Sequence, residues 1–253
     1  MRQTAILAAR KAGALLLRHF GKKIPGIRKK EGKSLVTDLD IACNDLIVGM
    51  IKKRFPTHNI ITEETSPINQ QSQYTWHIDP IDGTHNFIRG IPLFGVSIAC
   101  ARNGKVELGV IYLPLFRKMY VAQKGKGAYL NGKRIHVSEK KDLYFSFLLF
   151  DSSSSTRKKK LKFMHGLSET IFDERVFGCA VFACAMVAQG RSDGLVFFKT
   201  NSWDVAAGFL LIEEAGGKIT TFKGEKWELD QRNYVATNGR LHSLLLQELR
   251  QFQ

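Results

Sequence analysis

Trp76-His77-Ile78-Asp79-Pro80-Ile81-Asp82-Gly83-Thr84 is the most informative stretch of this 253-residue chain. An apolar run suited to a buried strand ends in two carboxylates that flank a proline. Pro80 fixes its own φ and has no N–H, so the pattern predicts a turn at the strand end. Both carboxylates can then face one space. Two close anions repel each other and raise a pKa. A bound divalent cation relieves that repulsion, and hard oxygen ligands suit Mg²⁺. Gly83-Thr84 follows at a candidate helix start, where exposed N–H groups suit a phosphate. The same residues also read as an ordinary turn with Thr84 as an N-cap.

Other carboxylates fall at comparable places. Glu63-Glu64 follows the apolar run Asn59 to Thr62; a solvated loop explains that pair equally well. Asp204 opens the run Val205 to Ile212 and suits an N-cap, a role compatible with metal binding. Asp38 and Asp40 follow Val36-Thr37 and suit the cap of a helix that starts at Ile41.

The rest of the chain gives these residues a frame. Met1 to Phe20 carries Ile6, Ala9, Gly13, Leu16, Leu17 and Phe20 at helical spacing, interrupted by Arg10, Lys11 and Arg18. This predicts a core-facing amphipathic helix, not a signal peptide. A second helix is predicted over 41–55, stopped by Pro56. Strands are predicted over 58–62, 75–79, 94–102, 105–113, 117–122, 127–130 and 134–137. Asn103-Gly104 and Asn131-Gly132 lie between successive runs and signal hairpins, so the stretch reads as an antiparallel meander. Beyond it come a polar loop (152–155) and a basic run (156–162). Helices over 180–189, 205–215 and 240–252 then alternate with strands over 194–198, 218–222 and 234–237. That alternation favours a layered α/β architecture. The change of style near residue 140 suggests a subdomain boundary inside one compact unit.

Composition sets the outer limits. With 44% hydrophobic and 24% charged residues the chain reads as globular, neither disordered nor collagen-like. No run approaches the roughly 20 apolar residues of a membrane span. Cys43, Cys100, Cys179 and Cys184 form no CxxC pair. They read as buried free thiols, which points to a reducing, cytoplasmic setting. The net charge of +15 fits a nucleic-acid partner, an anionic membrane surface or anionic substrates.

Taken together, Asp79-Pro80-Ile81-Asp82-Gly83-Thr84-His85-Asn86-Phe87 resembles the signature of the inositol monophosphatase family of Mg²⁺-dependent, lithium-sensitive phosphatases, which includes bacterial SuhB-like members. Trp203-Asp204-Val205-Ala206-Ala207-Gly208, continuing through Glu214-Ala215-Gly216-Gly217, resembles its second signature. Lys30 to Asp40 resembles the upstream Val-Thr-x-x-Asp element, and Ile61 to Glu64 the Glu-Glu element. All four occur in family order, and the resemblance covers nearly the whole chain.

The resemblance implies an α/β (α+β layered) fold, an alternating αβαβα sandwich of the inositol monophosphatase/fructose-1,6-bisphosphatase type. It spans 1–253 as one domain, with subdomains of about 1–140 (helix pair plus antiparallel sheet) and 141–253 (α/β). It also implies a homodimer, a small phosphorylated metabolite as substrate, and two or three Mg²⁺ ions. Glu63, Asp79 and the carbonyl of Ile81 would hold the first ion; Asp79, Asp82 and Asp204 the second; Glu63 would touch a weaker third. Asp40 and Thr84 would position the attacking water, with Glu63 assisting. The N–H groups of Gly83 and Thr84 would bind phosphate, and Asp82, Asp204 and Gly178-Cys179-Ala180 would line the substrate pocket.

Three positions depart from the family pattern. Phe197 stands where many inositol phosphatases carry a sugar-binding Glu, Ala183 where many have Asp or Asn, and His85 where Thr, Lys or Trp is usual. An apolar wall cannot pair a sugar hydroxyl, so these departures weaken the case for inositol phosphate as substrate. The rival expectation is an RNA- or transcription-complex-associated protein of the same fold. It rests on the basic clusters Lys22-Lys23, Arg28-Lys29-Lys30, Lys52-Lys53-Arg54, and Arg157 to Lys160 with Lys162. These lack interleaved aromatics, and solvated helix faces explain them as well.

Overall fold

The computed structural model describes residues 1–30, 35–151 and 156–250. A short hairpin, β1 (Arg28–Lys29) with β2 (Leu35–Val36), lies between the helices α1 (Arg2–His19) and α2 (Asp38–Arg54). A seven-stranded sheet follows in the order β3 (Asn59–Thr62), β4 (Tyr74–Asp82), β5 (Gly95–Arg102), β6 (Lys105–Leu113), β7 (Lys118–Gln123), β8 (Ala128–Leu130) and β9 (Lys133–Arg134). The one-turn helix α3 (Thr84–Ile88) separates β4 from β5. The second half contributes β10 (Phe147–Phe150), α4 (Arg157–Leu167), β11 (Asp173–Val176), α5 (Ala180–Ala188), β12 (Gly194–Phe198), α6 (Ser202–Glu214), β13 (Lys218–Thr221), β14 (Asn233–Thr237) and α7 (His242–Arg250). Its five strands form a mixed sheet in the order β11-β10-β12-β14-β13.

Strand alternation builds the layers. On β5, Val96, Ile98 and Cys100 join the core shared with α1 and α2, while Ala99 and Ala101 face α5 and α6. On β12, Leu195 and Phe197 face α5 and α6, while Val196 and Phe198 join Phe163 of α4 and Leu245 of α7. The order is therefore α1/α2, seven-stranded sheet, α5/α6, five-stranded sheet, α4/α7. This is the expected αβαβα sandwich. Helix α6 is buried on nearly every side, from Val205 to Ile212, because it lies between two sheets.

Several expectations are corrected. Helix α2 begins at Asp38, three residues before Ile41, because Thr37 caps it in a capping box with Asp40. The N-cap of α6 is Asn201; Asp204 is the third residue of the helix and closes the capping box. The meander read from residue 94 onward takes in β4 as well, which pairs antiparallel with β5, whereas β3 pairs with β4 in parallel. The strand expected over 134–137 is confined to β9. β10, β11 and α4 gave no separate signal: α4 lies in the basic run, read as surface charge because its apolar residues are few. The polar loop 152–155 and the last residues of the closing helix lie outside the described residues. No described helix is long and apolar enough to cross a membrane, and all four cysteines are buried free thiols.

The outer layer contains a titratable clasp. The ring of His242 bonds Thr220 Oγ1 at 2.8 Å and Thr237 Oγ1 at 3.0 Å. Burial pushes its pKa down to about 4, and nearby Lys218 acts in the same direction. The unfolded chain takes up this proton near the ordinary histidine value of ~6.5. Above that pH the group is neutral in both states and costs nothing. As pH falls from 6.5 towards 4, only the unfolded state is protonated, and up to about 3 kcal/mol is lost. Melting temperature should fall less steeply over this interval in His242→Gln than in the native sequence; equal slopes would refute the assignment.

Candidate active site

Pro80 does not turn the chain. β4 runs on to Asp82, and its register against β5 shifts: Asp79 pairs with Ser97 but Asp82 with Gly95. Three steps on β4 thus match two on β5. Pro80 cannot donate to the ladder, and the strand absorbs this as a bulge. The Asp79 side chain accepts from the Ile81 N–H at 3.0 Å. At Gly83 the backbone takes φ 87°, and α3 starts.

Three carboxylates converge there. Ligand oxygens of Glu63, Asp79 and Asp204 all lie within 4.8 Å of one another. They come from the end of β3, from the bulge of β4 and from the first turn of α6. Glu63 is tied to β4 by its own N–H to the Ile78 carbonyl at 3.2 Å. Asp204 is fixed by its capping box: Oδ2 accepts from Asn201 N–H at 2.8 Å and Thr200 Oγ1 at 3.1 Å. His77 Nδ1 meets Ser202 Oγ at 2.8 Å, which pins the start of α6 to β4.

Burial pushes Asp79 well above the usual carboxylate range, and Glu63, Asp82, Asp204 and Asp40 add repulsion. Burial, with Glu63 next in importance, lifts Asp204 to about 7. Such a cluster is unfavourable for a protein alone and suits a hard divalent cation. The donor set is all oxygen, which fits Mg²⁺.

Asp82 is positioned differently. Its Oδ2 accepts from the Val181 N–H at 2.5 Å and from the Cys179 thiol at 3.3 Å, both at the start of α5. Burial lifts it to about 6, opposed by those hydrogen bonds. Burial and the adjacent Asp82 hold the Cys179 thiol well above its ordinary pKa, so it is a neutral donor, not a nucleophile.

A second constellation adjoins the first. Thr84 Oγ1 lies 3.1 Å from Asp40 Oδ1 and 2.9 Å from the Ile81 carbonyl. Asp40 Oδ2 accepts from Thr37 N–H at 2.7 Å and Thr37 Oγ1 at 2.6 Å. The capping box of α2 therefore aims Asp40 at Thr84. Burial raises the pKa of Asp40, against the hydrogen bonds from Thr37 and Thr84.

The pocket beside these groups is about 190 Å³ and is lined by Asp82, Gly178, Cys179, Ala180, Phe197 and Asp204 among others. A match to the model of the inositol monophosphatase family covers residues 1–253. The chain belongs to the inositol monophosphatase family. It is 38% identical over 239 residues to a fructose-1,6-bisphosphatase/inositol-1-monophosphatase of Thermotoga maritima, covering 94% of this chain and 91% of that one. It is 36% identical to Nus factor SuhB of Pseudomonas aeruginosa, covering 97% and 94%. The solved structure of the extragenic suppressor protein SuhB from Bartonella henselae superposes with a TM-score of 0.94 at 31% identity, covering 98% and 97%.

Inositol monophosphatase family members are generally metal-dependent, and the acidic cluster of this chain fits that chemistry. Phe197 is buried, its ring 5.7 Å from that of Phe209. It forms an apolar pocket wall together with Phe150, Leu195 and Ala183. His85 lies outside the pocket lining, on exposed surface. Lys30 escaped the sequence reading as a site residue because it sits in a basic cluster. Its ammonium lies 3.0 Å from Glu63 Oε1 and 2.6 Å from Glu64 Oε1. Burial pulls the pKa of Lys30 down, but Glu63 and Glu64 outweigh it and the net shift is upward. Thr200 and Asn201, which hold Asp204, were also missed. The Asn-x-x-Asp spacing of a capping box was their available signal.

Proposed function

We propose that this protein is a Mg²⁺-dependent phosphomonoesterase acting on a small phosphorylated metabolite. The observation that carries this reading is the convergence of Glu63, Asp79 and Asp204 next to the Asp40–Thr84 pair. Glu63, Asp79, Asp204, the Ile81 carbonyl and Asp82 would hold two or three ions between them. Bound Mg²⁺ supplies positive charge that polarises the phosphate and makes nearby water a better nucleophile at neutral pH.

The chain's own groups do the rest. Thr84 Oγ1 can accept a proton from the attacking water while donating its own to Asp40 Oδ1. Asp40 holds that proton readily because burial already raises its pKa. Glu63, held by Lys30 at 3.0 Å, would help orient the same water. The N–H groups of Gly83 and Thr84, with Gly178-Cys179-Ala180, cradle the phosphate. Cys179 acts there only as a hydrogen-bond donor to Asp82, so no covalent phosphoenzyme is invoked.

The test is phosphate release from inositol phosphates, fructose 1,6-bisphosphate, other sugar phosphates, histidinol phosphate, nucleotide 3′-phosphates and NADP, with Mg²⁺ and with EDTA. Release is expected from at least one, dependent on Mg²⁺ and inhibited by lithium. Mg²⁺-independent release, or none at all, would overturn the reading.

A transcription-associated role is a second reading, favoured by the SuhB relatives named as Nus factors. The basic clusters are its physical support, although Lys30 is turned into the site and Lys160 is buried against Asp151. Retention on RNA that weakens steeply with salt would support it; weak, salt-insensitive retention would remove it.

We further propose a homodimer in a reducing, cytoplasmic setting. The buried thiols support the latter. Phe172, Tyr144 and Phe145 are 72%, 60% and 56% exposed beside the edge strand β11, an apolar patch suited to a second copy. Phe172 N–H bonds the Ser146 carbonyl, which brings these segments together. Phe172→Glu should convert the dimer to monomer in sedimentation experiments without loss of helical content. An unchanged dimer would place the interface elsewhere.

A further inference from the structure

The three clustered carboxylates do not share one support. Glu63 follows β3 and Asp79 lies on β4, and these strands are neighbours in one sheet. Asp204 comes from the first turn of α6, in the helix layer packed on that sheet. Its distance from Asp79 therefore depends on how this turn sits on β4 and β5. The capping box with Asn201 and Thr200 orients the Asp204 carboxylate within the turn, but it does not place the turn on the sheet. Like charges repel, so the separation of Asp204 from Asp79 has to be held by something else.

Two side chains of the sheet grip that turn. His77 Nδ1 and Ser202 Oγ are joined by a hydrogen bond of 2.8 Å, and Ser97 Oγ donates to the Trp203 carbonyl at 3.2 Å. Ser202 and Trp203 are the two residues directly before Asp204. Strand geometry puts both anchors beside Asp79. His77 and Asp79 are two residues apart on β4 and share a face, and Ser97 is the residue opposite Asp79 on β5. His77, Asp79 and Ser97 thus form one polar platform on the face that α6 covers. Both anchors are buried. A buried imidazole costs more than an aliphatic side chain unless its polar atoms are paired, and here the pairing falls on the turn that carries a metal ligand.

We propose that His77 and Ser97 are positioning residues: through Ser202 and the Trp203 carbonyl they hold Asp204 at metal-binding distance from Asp79, and so set the affinity of the site for its divalent cation. Without them, repulsion between the carboxylates would push the start of α6 away from β4. Part of the binding energy of the cation would then go into closing that gap, and the site would fill only at higher concentration. The inference rests on the metal-dependent phosphatase reading above and names what tunes its cation site.

The experiment measures Mn²⁺ binding to the EDTA-stripped protein by titration calorimetry, alongside melting in EDTA and the Mg²⁺ dependence of phosphate release. In His77→Leu, and separately in Ser202→Ala, the Kd for Mn²⁺ should rise about tenfold, the low end of the 10–100-fold cost of losing indirect support at a metal site. Ser97→Ala should act in the same direction. The double variant His77→Leu/Ser202→Ala should bind no more weakly than either single one, because the same hydrogen bond is lost in all three. His77→Asn has the branching of leucine but puts an amide near the position of Nδ1, and it should recover most of the affinity. In turnover, His77→Leu and Ser202→Ala should need about tenfold more Mg²⁺ for half-maximal rate, with the rate restored at saturating Mg²⁺. Native Mn²⁺ affinity in both variants, with only the melting temperature in EDTA lowered, would show a packing role and overturn the inference. Losses that add in the double variant would overturn it too, and either result leaves the phosphatase reading intact. A native protein that binds no Mn²⁺ and releases no phosphate with Mg²⁺ would instead sink the phosphatase reading, and this inference with it.

Discussion

Asp79→Asn is expected to abolish Mg²⁺-dependent phosphate release while leaving the metal-free fold as stable as before or more so. Asp79 is the most buried member of the carboxylate cluster and feels repulsion from Glu63, Asp82, Asp204 and Asp40. The asparagine keeps the shape and an oxygen for the Ile81 N–H, but removes one charge from a site built to balance a cation. Loss of outer-shell support at metal sites costs about 10–100-fold, so loss of a direct ligand should exceed ~100-fold. Two readouts separate function from fold. The turnover of Asp79→Asn should vanish, and the rise in melting temperature produced by Mg²⁺ in the native protein should vanish with it. In EDTA the variant should melt no lower than the native protein, because a buried like charge has gone. Full activity in the variant, or collapse in EDTA with Mg²⁺ stabilisation intact, would contradict the assignment.

Gly83→Ala should be the most damaging small substitution. Gly83 joins β4 to α3 with φ 87°. A Cβ there would lie 2.7 Å from the Leu93 carbonyl oxygen and 3.2 Å from Cys179 Cβ. The first neighbour is backbone and cannot rotate away. The left-handed φ alone costs roughly 1–2 kcal/mol for a residue with a side chain, and the clash adds to it. Relief requires the start of α3 to move, and Thr84 would move with it. Its hydroxyl would then leave Asp40 and the Ile81 carbonyl. A displacement of about 1 Å at a positioning group can cost on the order of 10²-fold. The expected result is a drop of about 2–3 kcal/mol in unfolding free energy with a comparable 10²-fold loss of kcat. By contrast, Gly90→Ala faces open space, with only its φ of 70° against it, and should cost stability while sparing kcat. Equal kcat values for Gly83→Ala and the native protein would show that the Thr84 hydroxyl is not held as described.

The sequence made the site legible to different depths. Asp79, Glu63 and Asp204 could be found because each ends or begins an apolar run, and such junctions put a charged side chain at the rim of a core. What lies between Asp79 and Asp82 could not be read. Pro80 signals a break in hydrogen bonding, and a turn and a bulge satisfy that signal equally. Only the register against β5 decides between them. Asp40 and Asp204 were legible as helix-start residues but misplaced within their caps, because a capping box has two ends and a single carboxylate fits either. Lys30 was hidden by its neighbours: Arg28 and Lys29 are exposed, and nothing local distinguishes the third cation that turns inward to Glu63 and Glu64. In the fold, the helices and strands with continuous apolar runs were found. α4 was not, since Phe163 and Leu167 are its main anchors amid five cations from Arg157 to Lys162. β11 was not, because an edge strand with pattern Asp-Glu-Arg-Val has no apolar periodicity to read.

The central claim is that Glu63, Asp79 and Asp204 hold a divalent cation required for phosphate hydrolysis. Anomalous diffraction from crystals soaked in Mn²⁺, a close substitute for Mg²⁺ at oxygen sites, tests it most directly. An anomalous peak within ~2.0–2.3 Å of oxygens from all three carboxylates is predicted, and it should disappear in Asp204→Asn. A peak held by other residues, or no peak at Mn²⁺ concentrations that support turnover, would contradict the account.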